Sequence, residues 1–166
     1  MNNENWYIAD SEKAAKELLE MFWKFHDFRI AQIQYDAKDE RIDLLLEYDT
    51  DNLFVMLRFE HDIAMNFIPT DSPDNDWLSD SEIRIVEYDK IMWIAGYIGE
   101  DRNPLQENID VLWIMGRRLM FAVVNADGDT IPIPDDILHQ RLKTLNNYGK
   151  YEISERHFNP TKIVKL

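Results

Sequence analysis

Apolar residues between positions 10 and 26 recur at the helical interval. In "DSEKAAKELLEMFWKFH" the side chains of Ala15, Leu18, Leu19, Phe22 and Phe25 share one face. Asp10 or Ser11 can cap the first turn and Glu12 sits where the helix dipole favours an acid, so the pattern predicts a helix over about 11–25. From Phe28 the period falls to two. "RIDLLLEYD" sets Ile42, Leu44, Leu46 and Tyr48 on one face and Arg41, Asp43 and Glu47 on the other, the signature of a half-buried strand. The charged turn "DAKDE" joins it to residues 28–35, and the two segments are expected to pair as an antiparallel hairpin. After the turn "DTDN", Leu53, Val55, Leu57 and Phe59 alternate with Phe54, Met56, Arg58 and Glu60, which extends the hairpin to a three-stranded meander.

The next stretch, "PTDSPDNDWLSDSE", carries two prolines and no basic residue and reads as a solvated loop, the clearest break in the chain. Beyond it "SEIRIVEYD" alternates through Ile83 and Ile85. "KIMWIAGYI" is almost continuously apolar, as a strand covered on both faces would be. Two or three more strands are expected in "NIDVLWIMGRRLMFAVVNADGDTIPIP", with "GRR" as one possible turn and "DGD" as the stronger one. A second helix is predicted over 134–147, with Pro134 near its start, Ile137, Leu138, Leu142 and Leu145 on one side, and Gly149 where it could stop. The tail, 150–166, could add an edge strand or run extended. No repeat or linker divides the chain, so the expected fold is one α+β domain over 1–166. Its strands, within about 28–124, form a meander-rich antiparallel sheet with the N-terminal and C-terminal helices packed on one face.

Composition narrows the function more than the fold. With 18 Lys and Arg against 32 Asp and Glu, the chain carries a net charge of −14. Such a field repels nucleic-acid phosphates and anionic lipid, so neither nucleic acid nor membrane is an expected partner, whereas a basic protein would be attracted. There is no cysteine, which excludes disulfides, thiolate metal sites and cysteine nucleophiles. The start "MNNENWYIADSEK" lacks a basic segment followed by an apolar one, and the expected compartment is the cytoplasm.

Two dipeptides invite chemistry: His26-Asp27 and His61-Asp62. Imidazole and carboxylate together suit zinc, manganese or iron, and their convergence would make a metal-dependent hydrolase. Two considerations oppose this. Asp occurs 19 times, so His-Asp pairs arise readily without selection, and adjacent strand residues point to opposite faces unless the strand is broken. The plainer reading of His26 is a corner, with the ring favoured as a cation near a helix C-terminus and Asp27 starting the turn. His139 and His157 have no context that would make either a base.

The acids between Asp71 and Glu82 do not match a calcium loop, because counting from Asp74 the sixth position is Ser79 rather than glycine. No Gly-rich phosphate loop, G-x-S-x-G or H-E-x-x-H occurs, and no cofactor is expected. Trp77, an aromatic ringed by carboxylates, suits a protein interface instead. Asp71, Asp74, Asp76, Trp77, Asp80 and Glu82 are therefore the candidate contact residues.

Residues 25–60, "FHDFRIAQIQYDAKDERIDLLLEYDTDNLFVMLRFE", resemble small bacterial families, among them immunity proteins of polymorphic toxin systems, in which an H-D-x-x-I start leads into a strand, a charged turn and an alternating strand. The resemblance implies a protein that binds and neutralises a toxin through an acidic surface, with no catalytic residues. The alternatives are the metal-dependent hydrolase and a structural subunit of a larger assembly.

Overall fold

The alternation over 28–60 becomes three strands in register, in a computed structural model that describes residues 5–48, 53–68, 77–135, 137 and 162–163. In chain order the elements begin with β1 (Trp6–Ile8), α1 (Glu12–Met21), β2 (Phe28–Asp36), β3 (Arg41–Tyr48), β4 (Leu53–Glu60) and β5 (Ala64–Asn66). They continue with β6 (Glu82–Val86), β7 (Lys90–Ile94), β8 (Trp113–Gly116), β9 (Arg118–Val124), β10 (Thr130–Ile131) and β11 (Lys162–Ile163).

The meander β2-β3-β4 forms as the sequence predicts, but it belongs to the larger of two antiparallel sheets rather than to a single one. The larger runs β11-β1-β9-β4-β3-β2, with β10 also paired to β9; the smaller runs β5-β8-β7-β6. One core joins them. Leu44 and Leu46 of β3, Val55, Leu57 and Phe59 of β4 and Phe121 of β9 meet Ile91, Trp93 and Ile114 of the smaller sheet and Leu18 of α1. β7 lies between two neighbours and buries Ile91 to Ile94 completely, as its continuous apolar run implies.

A second, smaller cluster covers the opposite face of the larger sheet, where Trp6, Met120, Ala122 and Val124 pack with Leu45, Phe54 and Met56. Arg58 alternates onto this face. It forks onto Asp43 at 2.7 and 3.0 Å and lies 4.4 Å from the Trp6 ring centroid.

The two sheets share a bent ribbon. Glu60 pairs with Arg118 in the larger sheet, and Ala64 pairs with Met115 in the smaller, so β4 and β9 continue across the bend as β5 and β8. "GRR" is therefore not a hairpin turn but the point at which one strand steps between sheets, a bend of the kind that makes sandwich corners. Gly116 suits the close approach there, since a Cβ would lie 3.0 Å from the Glu60 carbonyl oxygen. "DGD" does turn a hairpin: the Asn125 side chain accepts from the amides of Asp127 and Asp129 at 3.0 and 2.9 Å, and Gly128 takes a φ of 84°.

α1 starts where expected, with the Ser11 hydroxyl accepting from the Ala14 amide at 3.1 Å. It ends at Met21, four residues before the predicted stop at 25, because the backbone turns left-handed at Trp23. The predicted C-terminal helix lies outside the described residues except at 134, 135 and 137, and that part of the expected architecture is not supported. α1 is the one α-helix among the described elements. The tail contributes β11, an edge strand on β1. No helix among the described residues is long and apolar enough to cross a membrane.

Candidate functional site

The chain leaves α1 through a left-handed turn. Trp23, Lys24 and Phe25 have φ of 52°, 55° and 59°, and Asp27 has 63°. Left-handed backbone costs about 1–2 kcal/mol per non-glycine residue, so packing must hold it. Phe25 is fully buried, with its ring 5.7 Å from Phe22 and 5.2 Å from Phe28, and Trp23 lies 5.9 Å from Tyr48. The helix stops early because this turn sends both Phe25 and Phe28 into the core.

Residues 77–81 are stitched onto that corner by main-chain hydrogen bonds. Asp27 N donates to Leu78 O at 3.0 Å, Leu78 N to Phe28 O at 2.7 Å, and Ser81 N to Lys24 O at 2.8 Å. His26 completes the contact through its side chain. Its Nδ1 hydrogen-bonds the Ser79 carbonyl and lies 3.1 Å from Asp80 Oδ1, while Nε2 is 3.6 Å from Asp27 Oδ1. The Ser79 carbonyl, then the Asp80 carboxylate, raise the pKa of the half-exposed ring above the usual histidine value.

The second His-Asp pair occupies the bend between sheets. His61 and Asp62 are left-handed, with φ of 63° and 48°. The Arg117 amide is shared between Glu60 O and His61 O at 3.0 and 2.9 Å, and its guanidinium pairs with Asp62. The hydrogen bond from Arg117, reinforced by its charge, holds the Asp62 carboxyl below the usual range. This pair serves the bend.

The register keeps the two pairs apart. Phe28, Tyr48 and Leu53 align at one end of the meander, and Asp36, Arg41 and Glu60 at the other. His26 precedes the first end and His61 follows the second, so the length of β4, roughly 20–25 Å, separates them. His26, Asp27, His61 and Asp62 thus do not meet around one ion. Among the described residues no group of three or more such side chains is placed to hold a metal.

The candidate contact residues divide. Asp71, Asp74 and Asp76 lie outside the described residues. Trp77 is 40% exposed. It bridges to Arg29 at the edge of β2, and the Arg29 guanidinium lies 5.8 Å from its ring centroid. Asp80 is on the same segment, engaged with His26. Glu82 departs from the expectation of an exposed contact acid: it accepts from the Ile98 amide at 2.7 Å and from Arg84 Nε at 2.7 Å. Arg84 in turn donates to Gly99 O and Arg102 O, each at 2.6 Å. Alternation along β6 turns both side chains toward the loop that follows β7, and Glu82 fastens that loop.

Arg29 and Glu47 were not singled out by sequence, yet Arg29 Nε donates to Glu47 Oε2 at 2.7 Å and so fixes the cation under Trp77. A bulge between Ile30 and Gln32 creates the pairing; without it the register would set Arg29 opposite Tyr48. Compared with models of protein families, with curated proteins and with solved structures, the chain matches none.

Proposed function

We propose that the chain is a non-enzymatic, acidic protein-binding module that acts by occluding a basic partner, the role of the toxin-immunity proteins that residues 25–60 resemble. The observation that carries this reading is Trp77: a large aromatic left 40% exposed, with the Arg29 guanidinium 5.8 Å from its ring centroid, beside Leu78, whose main chain bonds Asp27 and Phe28. Rigid aromatics ringed by polar groups are what binding hot spots are made of, since little side-chain entropy is lost on contact. The charge of −14 would draw a basic partner from a distance and raise the on-rate, while burial of Trp77 would govern the off-rate.

The test is a pull-down from the producing cell at low and high salt, followed by kinetics with the recovered partner. A basic protein released by high salt is expected. Trp77→Ala should raise the dissociation rate by about tenfold or more. Replacing Asp71, Asp74 and Asp76 together by Asn should slow association and flatten its salt dependence. A partner whose association ignores both salt and these acids, or that dissociates at the same rate without Trp77, removes this surface from the reading.

A further inference from the structure

Three main-chain hydrogen bonds hold residues 77–81 to the left-handed corner, and none of them changes charge with pH. The same holds for Leu78, packed into the core, and for the Arg29 guanidinium against the Trp77 ring, but the His26 ring does change charge. We infer that His26 is a proton-operated latch, which holds residues 77–81 shut on the corner when its ring is charged and lets them lift, with Trp77 and Asp80, when it is neutral.

The groups around the ring favour its cation from both sides of the joint. Asp27 faces it from its own turn, at 3.6 Å from Nε2. Asp80 and the Ser79 carbonyl face it from the opposing segment, with Asp80 Oδ1 3.1 Å from Nδ1. The cations of the elements packed here are Lys24, on the corner itself, and Arg29 of β2, whose guanidinium is taken up by Glu47. A neutral imidazole carries one N–H and can still donate to the Ser79 carbonyl, but it loses its attraction for both carboxylates. Beneath it lie four left-handed non-glycine residues, Trp23, Lys24, Phe25 and Asp27. Strain of that kind persists only while surrounding contacts over-determine it, so the joint depends on each contact that holds it.

The ring's pKa is raised above 6.5 in the closed joint, first by the Ser79 carbonyl and then by Asp80. The sign follows. Closure is fully supported below the open-state pKa and loses that support as pH rises through the higher closed-state value, a window that starts at the ordinary histidine value and lies above it. This regulation concerns the surface assigned above to partner binding, but it is a property of the free chain and needs no partner.

The experiment is therefore made on the full chain alone, in the presence of a chelator. The His26 ring is titrated by NMR, and amide hydrogen-exchange protection, corrected for intrinsic exchange, is followed at Asp27, Leu78 and Ser81 from about pH 5.5 to about pH 8.5. Protection at all three amides should fall with its midpoint at the ring's own titration, by about tenfold for each unit by which closure raises the pKa. His26→Gln, which keeps a donor but cannot charge, should make protection independent of pH. Asp80→Asn should move the midpoint down toward the ordinary histidine value, and it carries the test should His26→Gln disturb the corner. A ring that titrates at the ordinary value, or protection that does not follow it, overturns the latch. Because no partner enters the experiment, failure to find one leaves the result intact.

Discussion

Arg58 is only 6% exposed, and its burial is tolerable because its charge is answered on two sides. Asp43 takes two of its N–H groups, and the face of Trp6 lies against the guanidinium. The arrangement implies a sharp asymmetry between removing one partner and removing both. Asp43→Ala leaves a buried cation unpaired and should cost about 3–5 kcal/mol in urea unfolding. Adding Arg58→Met to that variant should recover much of the loss, because an apolar chain of similar reach suits the cluster formed by Trp6, Met120 and Met56. Equal losses in the single and double variants would mean that the ion pair is not what holds this face together.

Among the elements, those governed by local periodicity were legible and those governed by contacts between distant segments were not. The meander could be read because Ile42, Leu44 and Leu46, then Val55, Leu57 and Phe59, repeat every second residue, and the pairing of β3 with β4 follows from a short turn. The helix start could be read from Ser11. Its end could not, since no glycine or proline marks it; the stop is imposed by the demand to bury Phe25 and Phe28 together. The bend at Gly116 could not be read for a related reason: "GRR" carries the chemistry of one possible turn, but β8 and β9 have different neighbours, and neighbours are not written in local sequence. At the candidate site, Trp77 stood out by composition, whereas its support by Arg29 depends on a single bulge. The bend has its own prediction. Gly116→Ala places a methyl 3.0 Å from the Glu60 carbonyl, a backbone atom that cannot swing aside. It should destabilise the fold by about 1–3 kcal/mol by chemical denaturation, and an unchanged midpoint would show that the ribbon can bend without the close approach.

At the scale of the whole molecule, the meander sets the two His-Asp corners at opposite ends and gives them opposite dependence on pH. Acidification charges His26 and tightens one end, while at the other it protonates Asp62 and weakens the pairing with Arg117. The sheet that spans them is organised by β9, which pairs with β1, β4 and β10. That arrangement has a consequence for how the protein is made. During synthesis the N-terminal segments leave the ribosome first, yet β1 and β4 acquire their common neighbour only after the codons for residues 118–124 have been read. Until then the meander ends in an open edge at β4, and Leu57 and Phe59 have no Phe121 or Leu119 to close over them. A chain stopped at Arg117 should be digested by protease at the rate of an unfolded polypeptide, and one extended through Ile131 should resist. Protection of the shorter chain would mean that the meander folds unaided. If it does not, the nascent chain is exposed to chaperones from the synthesis of β4 onward, and its vulnerability to aggregation ends only when β9 arrives.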